Sequence, residues 1–532
     1  MRKLILKGRS TVTIASSRDK ELGNLAASLD ADLSYEQIDA VVRHALDLDY
    51  SPGALRHSIS ESDWVVIKPN MVTSRSNPRC SYWHSGIPHP GQVTDLRVIK
   101  SLIGYLIEHC HPGRITIAEG GAEWRKNGEP GTDPNQSEDG WTVRWPEFDN
   151  LSYVDIVNAY NGMHPGLVDI VDLNYDAIRF EPVPDPRGSG IGALQRVGAE
   201  WRRPEGFGRG AYVPGTGTPR EGYYIPETIL KCDKLISVPA MKTHTCATTL
   251  VMKNYIGILP THPSGLVRKG DVHRGDLKKG FVDLFSYHPA DYSVIEGFWS
   301  TEGNGPQWGD NIRHNVVVAS ADPVAADAVG SAVMGFNPMD IDYLYYAAQK
   351  GFGTFNLAEI DIVGNTIEDA KRKFKRAVGR RGVGFAARGN RAWLVKGYAD
   401  PEAQVFESEE RYIDLARHFG NREVRSAVAR VNVYSEHAQK GKLWASADGK
   451  MSVELNGTQV LRKETESGHI FAEHQIDIEL NEGVNHLAVY LERGQSGFGF
   501  TALLCDELGD GLFHIEYAVG RAREVADLSR SA

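Results

Sequence analysis

The sequence predicts an α/β protein, a parallel or mixed sheet with helices on both faces, followed by an all-β sandwich. Three observations predict it. Buried-strand runs alternate with helical stripes through the first two thirds; a basic, glycine-broken stretch follows; short period-two strands fill the remainder. The corresponding boundaries are residues 1–364, 365–424 and 425–525.

Taken in order, "DWVVIKP" (63–69) reads as a buried strand. "TDLRVIKSLIGYLIEHC" (94–110) then carries apolar residues at Leu96, Ile99, Ile103 and Leu106 behind a Thr94 cap, which is a helical stripe. "GRITIAEGG" (113–121) is a second strand, so the three form a βαβ unit and imply parallel pairing. Further strands are expected at 233–239, 292–297, 315–320 and 359–364. Asp322 caps a helix with Pro323 in its first turn, and Gly335 ends it. Asp327 is read as holding the loop above that helix.

Residues 365–424 are expected to form a solvated basic helix and a linker. From 425 the text turns to "ARVNVYSE", "KLWASAD" and "KMSVELNGTQVLRK", with Asn456-Gly457 as a hairpin turn.

The 532 residues are 41% hydrophobic and 24% charged, the composition of an ordinary globular protein. A net charge of −10 argues against broad nucleic-acid or anionic-membrane binding. The N-terminal apolar run is too short for a signal-peptide core, and no run approaches a membrane span, so a cytoplasmic location is expected. The five cysteines (Cys80, Cys110, Cys232, Cys246, Cys505) are scattered and include no CxxC pair, so neither a disulfide framework nor an iron–sulfur cluster is expected.

Ligands of parallel sheets bind beyond the carboxyl ends of strands. Lys68 and Asn70 follow the first strand, and a long loop carrying His84 and His89 separates them from the next helix. Glu119 follows the second strand. Lys242 and His244 follow the strand at 233–239, Lys253 and Asn254 come shortly after on a helix expected from Thr245, and Glu302 follows a further strand. This collection suits a small-anion site, with fixed positive charge for binding and a titratable group for proton transfer. Cys246 reads as a small buried thiol.

"VVIKPNMV", "CDKLISVPAMKTHTCATTLVMKNYIGILP", His273, "EGNGPQWG" and "ASADPVAADAVGSAVMG" together resemble the uncharacterised family called domain of unknown function 362, over about 60–365. The resemblance implies an α/β domain with the KTH and KN residues as signature positions. A fainter likeness, to the nickel-pincer lactate racemases, rests on the order His244, Lys253, His273. It implies Lys253 as cofactor anchor and His244 and His273 as metal ligands or proton carriers, although Val251-Met252 stand where the racemases have glycines. The stretch around "KLWASADGKMSVELNG" resembles jelly-roll accessory domains of carbohydrate-active enzymes, which implies a carbohydrate partner.

The expected function is therefore an enzyme for a small carboxylate- or phosphate-bearing substrate. The favoured chemistry is racemisation, epimerisation or a redox step at a hydroxy-acid carbon. Lys68, Lys242 and Lys253 would hold the anion, with Asn70, Asn254, His84 and His89 around it, and His244 or His273 would move the proton. Two rivals stand beside it. One is a non-catalytic ligand- or glycan-binding protein. The other is a metal-assisted hydrolase using a divalent ion on Glu119, Glu302, Asp322, His244 and His273.

Overall fold

The computed structural model describes residues 9–71, 91–121, 141, 144–191, 221–260, 269, 272, 276–306, 308–377, 387–408, 410–420, 422–466 and 468–519. The chain divides into two compact units, Met1–Gly384 and Phe385–Ala532.

The first unit is built on an eleven-stranded mixed sheet. Its strands are β1 (Ser10–Ser16), β2 (Trp64–Pro69), β3 (Arg114–Glu119), β4 (Val168–Asp172), β7 (Lys234–Val238), β8 (Ala240–His244), β9 (Ala247–Thr249), β10 (Tyr292–Asn304), β11 (Trp308–Ile312), β12 (Val316–Ser320) and β13 (Ile360–Gly364). A separate two-stranded ribbon joins β5 (Ile178–Pro182) to β6 (Gly222–Pro226). The main order is β13-β1-β12-β10-β7-β2-β3-β4. Neighbours from β10 to β4 run parallel, whereas β12 is antiparallel to both β10 and β1. Strand β1 was not anticipated from the sequence.

Alternate residues of each strand face opposite sides. Ile67 and Ile117 share a core with helices Tyr35–Asp47 and Leu96–His109, through Ile38, Val42, Ile99 and Leu102. On β10, the next residue along from Val294 in that core is Ile295, and there helix Pro323–Val333 closes on the sheet at Gly330. The cap of helix Leu96–His109 is Asp95, which accepts from Arg97 N, in place of the expected Thr94. Gly335, at φ +81°, ends helix Pro323–Val333 as expected.

The basic helix expected after 365 is four residues long, Ile367–Ala370, because Thr366 caps it and no apolar stripe extends it. The second unit then starts well before 425. Strands β14 (Ala392–Gly397), β15 (Gln404–Glu407) and β16 (Ile413–Asp414) lie in the stretch read as linker, and β14 pairs with β17 (Ser426–Ser435). The unit continues with β18 (Gln439–Ala447), β19 (Met451–Leu455), β20 (Thr458–Lys463), β21 (His474–Leu480), β22 (Gly483–Glu492), β23 (Gly499–Cys505) and β24 (Ile515–Ala518). These form a seven-stranded and a four-stranded antiparallel sheet. Trp393, Val453 and Leu487 of one share a core with Leu443 and Phe500 of the other, which is a sandwich. Asn456 and Gly457, both at positive φ, make the anticipated hairpin turn.

The described cysteines, Cys110, Cys232, Cys246 and Cys505, are buried, and no disulfide joins any two of them. Among the described residues, no helix is long and apolar enough to cross a membrane.

Candidate functional site

Strands β7, β2 and β3 lie side by side and parallel, so their carboxyl ends deliver side chains to one place. Lys68 Nζ donates to the Glu119 carboxylate, to Asn254 Oδ1 at 3.1 Å and to Pro69 O at 3.1 Å. Asn70 Nδ2 donates to the same Asn254 oxygen at 3.0 Å, and Asn70 Oδ1 accepts from Lys242 Nζ at 2.6 Å. Asn254 Nδ2 returns to the strand ends, donating to Lys68 O at 3.2 Å and Ser237 Oγ at 3.1 Å. Glu119, Lys68, Asn254, Asn70 and Lys242 thus form one continuous buried network. Four of them were named from their place after strands, and Asn254 from the helix expected shortly beyond.

The base of the long loop is pinned beside this network. Thr94 Oγ1 accepts from Asn70 N at 2.7 Å and donates to Val238 O at 2.5 Å. Gly257 lies against the Lys68–Glu119 pair so closely that a Cβ there would overlap both charged groups. Lys269 closes the far side, donating to the carbonyls of Gly120, Ile256 and Gly257. Sequence reasoning missed Lys269, since no strand precedes it. It also missed Glu296, whose signal was an acid within the apolar run "YSVIEG".

Burial governs the charges. It lowers Lys242 to about 7, against the pull of Glu296 and with the push of Lys253 and Lys68. Burial likewise lowers Lys269 to about 7, Glu119 opposing. Glu296, desolvated and near Asp95, is raised to about 8. Within the Lys68–Glu119 pair, burial pulls the lysine down and pushes the acid up, each opposed by its partner.

Lys253 sits in the first turn of helix Val251–Asn254, which starts six residues later than expected because Ala247–Thr249 is strand β9. The Asp327 carboxylate occupies that helix's N-terminus, accepting from Val251 N at 2.6 Å and Met252 N at 3.0 Å. Lys253 is 8% exposed, and among the described residues its ammonium has no hydrogen-bond or ion-pair partner. Burial lowers its pKa, with the nearby Cys246 thiol opposing. His244 ends β8 half-buried, its Nδ1 3.2 Å from Cys246 Sγ across a two-residue turn, and Ala247 beyond the turn holds a φ of +86°.

Other expectations fare differently. Glu302 meets Lys375, accepting from its amide at 3.0 Å, rather than Lys253. It follows Thr301, the register partner of Lys242, and so points to the other face. Asp322 belongs to another end of the sheet: β12 runs antiparallel to β10, so its carboxyl end lies opposite the ends of β2 and β3. Its carboxylate caps its helix through Val324 N and Ala325 N, both at 2.9 Å, and accepts from Ser10 Oγ at 2.5 Å. His84, His89 and His273 lie outside the described residues.

Among the described residues, no three His, Cys, Asp or Glu side chains group as metal ligands. The nickel-pincer cofactor does not fit the stretch that suggested it. Val251 and Met252, which stand where the racemases have glycines, are fully buried, and Asp327 already takes their amides, so the backbone there leaves no room for close approach of a cofactor.

Residues 189–332 match the family described as Domain of unknown function (DUF362). The DUF362 span holds Lys242, His244, Lys253, Asn254, Lys269 and Glu296, while Lys68, Asn70 and Glu119 come from earlier in the chain. A thylakoid-associated protein of Synechocystis sp. is 29% identical over 129 residues, covering 23% of this chain and 39% of that protein. The chain thus spans well under half the length of that relative. Among solved structures, a beta-glucosidase from Kluyveromyces marxianus is 12% identical over 26% of this chain and 18% of its own, with a TM-score of 0.18. A family 35 carbohydrate binding module from an environmental isolate is 14% identical over 18% of this chain and 74% of its own, at 0.14. At these scores neither likeness bears on fold or ligand.

Proposed function

We propose that the chain is an enzyme for a small carboxylate- or phosphate-bearing substrate, moving a proton at a hydroxy-acid carbon as a racemase, epimerase or related redox enzyme does. The observation that carries the reading is Lys253, a nine-tenths buried cation without a partner among the described residues. Burying an ammonium costs several kcal/mol unless an anion accompanies it (about 3–5 kcal/mol when a partner is missing). A substrate carboxylate or phosphate supplies that anion.

Lys68 is committed to Glu119, so binding falls to Lys253 with Lys242 beside it. A lysine titrating at about 7 changes charge at neutral pH, which suits a group that both binds an anion and carries a proton. Lys242 and His244, on one strand, are the two proton carriers of the proposal, and Asn70 and Asn254 hold Lys242 in place. The hydrolase reading has less support: Glu119, Glu302 and Asp322 are each engaged elsewhere.

The test is a panel of 2-hydroxy acids and phosphorylated acids, each beside its neutral amide or ester. Binding is followed by thermal shift, and α-proton exchange in D2O by NMR. At least one acid should raise Tm and exchange its α-proton, and its neutral analogue should do neither. Equal shifts with neutral analogues contradict anion recognition. Binding without exchange favours the non-catalytic rival. Cytoplasmic localisation belongs to the same proposal, and fractionation of cells tests it.

A further inference from the structure

Two buried polar side chains beside the network are left open. Thr249 is 2% exposed, and its Oγ1 has no hydrogen-bond partner among the described residues. Gln92 is fully buried, and neither its Oε1 nor its Nε2 has one. Protein interiors seldom leave such groups unsatisfied. An amide open at both ends calls for a ligand that brings a donor as well as an acceptor.

The fold brings both residues to Lys242. Thr249 stands opposite Lys242 in the β8–β9 register, and Thr301 is the partner of Lys242 on β10, so the three side chains share one face. The neighbouring Thr248 turns to the other face, where its hydroxyl meets Tyr343 at 2.6 Å and Ser331 at 3.3 Å. Gln92 lies in the stretch laid over the first face. On one side of it, Gly91 is so close to Ser300 O and Thr301 Oγ1 that a Cβ would overlap them. On the other, Thr94 Oγ1 accepts from Asn70 N, and Asn70 in turn holds Lys242.

We propose, building on the reading that Lys253 and Lys242 bind an anion, that Gln92 and Thr249 bind the hydroxyl of that same ligand and restrict it to hydroxy acids. The chemistry of the open groups decides the class. Gln92 Oε1 is an acceptor and needs an O–H or N–H, which a simple carboxylate, a phosphate dianion or a keto acid does not bring. An amino acid brings N–H donors, but on a cation set beside two lysines. A hydroxyl donates to Gln92 Oε1 and accepts from the Thr249 hydroxyl without adding charge. A site built around a substrate hydroxyl rejects the analogue that lacks it, because the site's own polar groups then stay unpaired.

The test is calorimetric titration of the full chain with lactate, malate and 3-phosphoglycerate. Each is set beside its deoxy counterpart (propionate, succinate, 3-phosphopropionate) and its amino counterpart (alanine, aspartate, phosphoserine). At least one hydroxy acid should bind about a hundredfold or more tighter than either counterpart. Gln92→Leu and Thr249→Val should each cut that preference at least about tenfold, by weakening the hydroxy acid. Unliganded Gln92→Leu should melt no lower than the parent, because an apolar side chain of similar size replaces an open amide. Hydroxy and deoxy acids that bind alike overturn hydroxyl recognition and leave anion binding standing, and so does a preference that both variants keep. A Gln92→Leu protein that melts well below the parent also overturns the proposal, since it reveals an amide satisfied within the fold. Binding of none of the acids overturns the anion reading and this proposal with it.

Discussion

Lys242 gives the sharpest test at the scale of one residue. It titrates at about 7 in the fold and at 10.5 in the unfolded chain, so between those values the unfolded chain binds more protons and the lysine makes stability rise with pH. Glu296, raised to about 8 from 4.5, acts in the opposite sense between its own two values, so the net slope is shared. The comparison that isolates the lysine is Lys242→Met against the parent. Its advantage should be largest near pH 6 and shrink towards pH 10, by about 4 kcal/mol. Denaturant melts across that range measure it; a difference independent of pH contradicts the assignment. A polar residue directly after an apolar run is legible in the sequence, which is why Lys68, Asn70, Glu119 and Lys242 could be named from strand ends, with Asn254 from the helix expected beyond them. Lys269 was not, because carbonyls from two separate stretches, Gly120 on one side and Ile256 and Gly257 on the other, hold it and no local pattern announces such a site.

At the scale of elements, the site depends on how closely the turn after Asn254 approaches the ends of β2 and β3. Gly257→Ala would press a methyl into the Lys68–Glu119 pair and should cost about 1–3 kcal/mol, as overpacking does. Gly162→Ala is the control. It lies in helix Tyr153–Met163 with open space around it, and should gain about 0.5–1 kcal/mol. Urea melts of both variants check the pair; equal effects contradict the close approach. The strands of the sheet were legible as apolar runs, but their directions were not. That β12 runs against its neighbours depends on distant pairing, and this took Asp322 to the wrong end of the sheet. The helix expected from Thr245 failed because Thr248 and Thr249, both β-branched, continue a hairpin instead.

For the whole molecule, the two units define where the chain can be cut. A chain ending at Gly384 should unfold cooperatively, because the first unit has its own core. A chain ending near 422 keeps β14 and β15 but loses β17, the partner of β14, and leaves a strand edge unpaired. It should scatter light and aggregate on heating where the shorter chain does not. Equal behaviour would mean that β14 is not held by β17. The sandwich was legible from its period-two strands, whereas its first three strands, within 392–414, were hidden behind the glycine-broken basic run that precedes them, which drew the whole stretch into a linker reading.

The central claim is that Lys253 is buried in wait for an anion. Lys253→Met keeps the apolar stem and removes the charge, so stability and ligand binding can be read on one variant. With the acid found by the substrate panel, binding should fall at least about a hundredfold, equivalent to about 2.7 kcal/mol, while the variant is as stable as the parent or more so. A variant that binds the acid as the parent does contradicts the claim, and so does one that loses several kcal/mol of stability, since that would reveal a structural ion pair.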